Sequence, residues 1–215
     1  MKHSLLFILL LSLTACGTAQ KVKYSALEKV GIHKRDVLVD RIEETSETQR
    51  ETKEQFKSAY DELASLVNIE DQGLEKRYRR MASAVDKSEE KAQELDDRIE
   101  RVDDVAKALF NEWEQELSQY QNVRLRTISE NNLQSTRDRY AAIYKKMLAS
   151  QKRIDPVLKI LQDNTLYLKH NLNARAIVGI SSEILTIEQD VTALIAQMEA
   201  SINESQEFIE SMRNE

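Results

Sequence analysis

LEKRYRRMASAVDKSEEKAQELDDRIERVDDVAKALFNEWEQELSQY, residues 74–120, decides the fold. Its apolar and small positions fall at Leu74, Tyr78, Met81, Val85, Ser88, Ala92, Leu95, Ile99, Val102, Ala106, Leu109 and Trp113, in alternating steps of four and three. Tyr120 follows a full heptad later. Such steps keep one stripe of an α-helix apolar and are the seam of a coiled coil. At 1.5 Å per residue the seam reaches ~70 Å. Globular helices usually stop at about 8–20 residues.

The same rhythm appears on both sides. Upstream, across the turn-rich Asn68–Gly73, a first seam runs Leu38, Ile42, Thr45, Gln49, Thr52, Phe56, Ala59, Leu63 and Leu66. Its three central polar residues weaken it, and they either set register or face small partners. Downstream, residues 121–132 read as a polar, frayed break. A third seam follows at Leu133, Arg137, Tyr140, Tyr144, Met147, Gln151, Ile154, Leu158, Leu161, Thr165, Leu168 and Leu172. Pro156 lies inside it and predicts a kink, because proline removes one helical hydrogen bond while the seam resumes in phase at Leu158. After Asn171–Asn173, where either asparagine can cap a helix, Ile177, Ile180, Ile184, Ile187, Val191, Leu194 and Met198 form a fourth seam, widened by Ile195, Ile202 and Ile209. Four long amphipathic segments with short connections predict an all-α fold, an elongated antiparallel four-helix bundle over residues 34–215.

Charge supports one arrangement of the four. Residues 34–70 carry 10 acidic and 6 basic side chains, residues 86–116 carry 12 and 5, residues 125–175 carry 4 and 10, and residues 174–215 carry 8 and 2. Only the third helix is basic, so flanking it with acidic neighbours favours one pairing over others. This is specificity more than stability, since an exposed ion pair contributes ~0.3–1 kcal/mol.

Composition excludes the main rivals. With 4 Gly and 1 Pro in 215 residues, the chain lacks the turn formers that a β-sandwich or a doubly wound α/β fold requires. One cysteine makes no internal disulfide.

That cysteine sits at an informative place. Met1-Lys2-His3-Ser4 is followed by an apolar run from Leu5 to Leu13, too short to span a bilayer and suited to a secretory signal. Leu13, Thr14 and Ala15 before Cys16 resemble the bacterial lipobox, in which small residues admit the peptidase and the thiolate accepts lipid. The expectation is a signal peptide over residues 1–15, a lipidated tether with a short helix ended by Gly31 over residues 16–33, then the bundle. The alternative is cleavage after Ala19 and a soluble periplasmic protein. The lipobox resemblance implies an acylated Cys16 on the periplasmic side of an envelope membrane. Gly17 after the cysteine resembles the outer-membrane-sorted kind.

Three stretches are not explained by periodicity: Tyr24 to Glu43, Ala108 to Glu114, and Tyr167 to Ile177. Together they resemble an uncharacterised family of Gram-negative secreted or lipoprotein-type helical proteins, catalogued as a domain of unknown function. The resemblance implies a helical fold and brings no catalytic residues. Members are sometimes labelled DNA-repair ATPases, a label these residues do not support. Glycines at 17, 31, 73 and 179 form no phosphate-binding loop. A formal charge of −6 disfavours nucleic acid.

No other chemistry emerges. His33 and His170 belong at opposite ends of an up-down-up-down bundle, too far apart to share a metal. Acidic pairs such as Glu89-Glu90 do not face the same way on a helix. No serine sits on a Gly-flanked turn, so neither an enzyme nor a cofactor is expected. The helix-end residues His33, Lys34, Arg35, Lys169, His170 and Arg175 are candidate contacts for an anionic partner, such as a lipid headgroup or peptidoglycan, or for an envelope protein. Phe110 and Trp113 read as core. The expected function is a membrane-tethered scaffold or binding role without catalysis. The alternative is a periplasmic adaptor or chaperone with a groove at Thr45–Thr52. Four seams close within one chain or are shared between two copies in a homo-oligomer.

Overall fold

The computed structural model describes residues 33–67 and 73–214. Cys16, with Leu13, Thr14, Ala15 and the Gly31 cap, lies outside the described residues. Five α-helices follow one another: α1 (Lys34–Val67), α2 (Leu74–Glu116), α3 (Val123–His170), α4 (Ala174–Ser181) and α5 (Ile184–Asn214), with one 3-10 turn at Leu117–Gln119. The fold is an all-α bundle, as expected.

Cross-helix contacts fix the topology. α2 descends along α1, with Arg80 on Glu62 at 3.2 Å near one end, Lys91 on Glu51 at 2.6 Å, Arg98 on Glu44 at 2.6 Å, and Lys34 on Glu112 at 2.8 Å at the other. α3 climbs back along α2 through Arg137–Glu114 and Gln162–Glu89. α5 descends against α3 through Lys146–Glu204 and against α1 through Lys53–Glu199 and Arg213–Glu43. The ring order is therefore α1, α2, α3, α5, and every helix is antiparallel to both neighbours. The basic α3 lies between the acidic α2 and α5, as the charge pattern predicts. The 48 residues of α3 make a rod of ~72 Å.

The first seam is the axis of the core. Leu38, Ile42, Thr45, Gln49, Thr52, Phe56, Ala59, Leu63 and Leu66 are all 0% exposed. Its polar middle is a closed layer. The Gln49 side-chain amide donates to the hydroxyls of Ser150 and Ser201, each at 3.0 Å. Thr45 and Thr52 donate back to the carbonyls of Arg41 and Thr48, both at 2.7 Å, and Ser88 does the same to Ala84 at 2.9 Å. Small residues on α2, α3 and α5 make room for Gln49, and the hydroxyls of Ser150 and Ser201 accept from its amide. Gln49 Oε1 and the hydroxyls of Ser46 and Ser205 remain buried without a hydrogen bond.

Three expectations are corrected. The third seam alternates one residue away from that drawn above: Thr136, Ile143, Ser150, Val157 and Asn164 are buried, while Arg137, Tyr144, Gln151, Leu158 and Thr165 sit half out. The sequence reading followed the larger side chains, whereas the ring places the smaller ones inward, where Ser150 meets Gln49. The break after Tyr120 is also shorter than expected. Asn122 caps α3, its side-chain oxygen accepting from the Leu125 amide at 3.2 Å, so helix resumes at Val123 and not after residue 132. Finally, the fourth seam is split between α4 and α5 by a turn at Ser182 and Glu183. There the Glu183 amide bonds the Ile180 carbonyl at 2.9 Å and the Ser182 hydroxyl bonds the Gly179 carbonyl at 2.8 Å. Serine side chains compete there for the carbonyls that would continue the helix.

α3 continues through Pro156. The proline is exposed, so the helical hydrogen bond it removes lies on the solvated face. Gly73 opens α2 with φ +99°, a left-handed conformation that a side chain would strain.

Candidate interaction surfaces at the two ends of the bundle

The end at which α1 begins holds three of the predicted contact residues. His33 is exposed, and its carbonyl accepts the first helical bond of α1 from Val37 at 3.1 Å. Lys34 and Arg35 serve the fold. The Lys34 ammonium, its side chain 10% exposed, pairs with Glu112 at 2.8 Å, and the Arg35 guanidinium donates to the Met212 carbonyl. Together they tie the start of α1 to α2 and to the end of α5.

Below this level, among the described residues, α2 and α3 alone continue as a two-helix tip. Trp113 Nε1 donates to the Ser129 hydroxyl at 2.8 Å, Tyr120 reaches the same hydroxyl at 3.5 Å, and Leu117 is buried between the helices. An aromatic cluster stiffens the base: the Phe110 and Tyr140 rings meet edge to face at 5.5 Å, and Tyr144 stacks on Tyr140 at 5.7 Å. Arg137 lies 5.6 Å from the Phe110 ring centre and pairs with Glu114 at 2.8 Å. Phe110 is core, as predicted, and Trp113 is packed against it half-buried.

The outer surface of the tip exposes four large apolar side chains among polar ones. Tyr120 is 42% exposed, Val123 78%, Leu125 50% and Ile128 46%. From the sequence, residues 121–132 read as polar and frayed, which hides this surface. The signal was present in Val123, Leu125 and Ile128, which lie off the buried stripe of Ser129, Leu133 and Thr136.

Tyr140 donates to Asp103 at 3.2 Å. Burial first, and then the Asp103 carboxylate, push the Tyr140 phenol far above its ordinary range. An acid whose folded pKa is raised contributes stability that is complete below its unfolded pKa and is lost as pH rises beyond it. The wild-type chain is therefore expected to weaken above about pH 10. Tyr140→Phe is expected to cost about 1 kcal/mol at pH 7 and to flatten the alkaline decline, read by urea unfolding at pH 7 and pH 10.5. An unchanged slope above pH 10 would remove Tyr140 as its source.

The opposite end holds Lys169 and His170, both exposed in the last turn of α3, where positive charge suits the helix dipole. Asn171 closes that helix, its side chain donating to the Tyr167 carbonyl at 3.0 Å, and the Asn173 carbonyl receives the first bond of α4 from Ile177 at 3.3 Å. Arg175 stands in the first turn of α4, and its side chain is outside the described residues. Leu166, Tyr167, Leu172, Val178 and Leu185 are exposed here, while Ile180 is buried. The six predicted contact residues thus divide between the two ends and do not form one site.

Among the described residues no group of three or more His, Cys, Asp or Glu side chains is placed to hold a metal ion. None of the described helices is long and apolar enough to cross a membrane.

Comparison with known proteins gives one positive result. The family described as "Protein of unknown function (DUF2959)" matches residues 23–212. No curated protein and no solved structure matches the chain.

Proposed function

We propose, taking as premise that the chain belongs to the DUF2959 family, a non-catalytic role: a lipid-anchored helical bundle that binds or braces a component of the cell envelope from the periplasmic side. The observation that carries this reading is the closed polar layer. Thr45, Gln49 and Thr52 are 0% exposed and their donors are bonded inside the ring, so no groove opens at that layer and the described helices form a rod with two ends. The adaptor alternative drew on an opening at that layer, and its polar groups are turned inward instead. Lipobox residues Leu13, Thr14 and Ala15 with Cys16 supply the membrane address. More than one acyl chain, or one chain plus a second contact, is needed for stable anchoring.

The test is mass spectrometry of the mature N-terminus from separated membrane and soluble fractions. A diacylglyceryl or triacyl mass on Cys16 in the membrane fraction is the expected result. An unmodified start at Gln20 in the soluble fraction would overturn the tether. Uptake of an apolar dye by the folded protein at micromolar concentration would restore the groove.

A further inference from the structure

We propose that the α2–α3 tip is a second membrane contact, in which Tyr120, Val123, Leu125 and Ile128 enter the headgroup region of an anionic bilayer while Arg124 and Arg126 meet its phosphates. The inference rests on the tethered reading for its orientation.

Composition and placement both carry it. Four large apolar side chains, 42–78% exposed, crowd into nine residues at the end of a two-helix projection. Arg124 and Arg126, both exposed, alternate with them, Arg126 in a long, solvated pair with Glu130 at 3.7 Å, and no acidic residue occurs between Glu116 and Glu130 in a chain that holds 37. Apolar and aromatic groups interleaved with arginine suit a bilayer interface, where the former replace water with hydrocarbon and the latter pair with phosphate.

Location selects the bilayer over other occupants. The tip lies at the end where α1 begins at His33, and the segment containing Cys16 joins the bundle there. The stretch from Cys16 to His33 reaches at most ~60 Å when extended. Since Lys34 pairs with Glu112, the remainder of α2 and the 3-10 turn carry the tip ~10 Å ahead of the start of α1. The tip therefore projects past α1 at the end of the bundle from which the tether to Cys16 leaves.

Tyr120→Trp places a reporter at the contact itself, while Trp113 at the base of the tip, bonded to Ser129, stays outside the acyl chains. The experiment adds this chain, either lipidated at Cys16 or starting at Gln20 with neither signal nor lipid, to vesicles of phosphatidylethanolamine and phosphatidylglycerol (3:1) carrying brominated acyl chains. Bromine quenching of the reporter at position 120 is expected in both forms. Binding of the chain starting at Gln20 is expected to be roughly tenfold stronger than to phosphatidylcholine vesicles. Val123→Glu with Leu125→Glu should abolish the quenching and that preference, with an unchanged thermal melt, since both positions are exposed. An unquenched reporter at position 120 in the lipidated chain would overturn the proposal, leaving residues 17–32 or a protein as the cover of the tip. Equal binding by the double variant would overturn it too. Failure of lipidation is read separately, from the N-terminal mass, because the chain starting at Gln20 tests the tip without an anchor.

Discussion

Replacing Gln49 with Glu is expected to cost about 3–5 kcal/mol at pH 7, although the two side chains are nearly isosteric. Gln49 is 0% exposed at the centre of four helices, and its amide donates to the hydroxyls of Ser150 and Ser201. The Ser150 hydroxyl already gives its proton to the Met147 carbonyl at 2.7 Å, so it has none for a carboxylate. No cation pairs with Gln49, and burial penalises the charged form of the new acid. Its folded pKa is thereby raised above the unfolded value of about 4.3. Below that pH both states are neutral, and the variant approaches the wild type. Above it the deficit grows by about 1.4 kcal/mol per pH unit, until the folded carboxyl ionises or the layer opens. Urea unfolding of both chains at pH 4 and pH 7 measures this directly. A deficit equal at the two pH values would mean that water reaches the layer, which would reopen the adaptor reading.

Phe56→Ala is the second large effect, at about 3–5 kcal/mol with no dependence on pH. Phe56 heads the fully buried side chains by size and sits one turn beyond the polar layer on α1. Truncation removes most of a ring from between helices whose separations are set by the seams on either side, so the walls collapse only in part. For a domain of this size the midpoint of thermal unfolding should fall by roughly 10 °C. Circular dichroism on heating checks it, with Val123→Ala as the comparison, because that residue is 78% exposed and its loss should stay within about 0.5 kcal/mol. A small effect at Phe56 would indicate a core loose enough to repack.

What the sequence made legible follows from how much of each helix is apolar. The α1 seam is read correctly at every position because its steps of four and three run without a slip from Leu38 to Leu66, through the polar middle. On α3 the stripes through Tyr144, Leu158 and through Ile143, Val157 are equally apolar, and only the small partners of Gln49 decide between them. That decision is a property of four helices at once and is not present in any one of them. Turn chemistry was the other loss. Asn122 and Ser182 act through single hydrogen bonds that hydrophobic periodicity does not register. The contact residues were found at helix ends, as predicted, but Lys34 and Arg35 are occupied by Glu112 and Met212, while the exposed tip carried no periodic signal at all.

The order of helices around the ring also has a meaning in time. Three of the four interfaces join helices that are neighbours in sequence or separated only by α4, so they close over short loops. The fourth joins α5 to α1 across nearly the whole chain, as between Arg213 and Glu43. Contacts of such high sequence separation form late. A chain emerging from a translocation pore N-terminus first would already present α1 and α2 as a hairpin, with Leu38, Gln49 and Phe56 covered on one side only. Phe208, Ile209 and Met212, the last buried residues, complete the enclosure. Until they arrive, the nascent protein is an open trough, and that interval is when it is exposed to proteases and to a swapped C-terminal helix from a neighbouring copy.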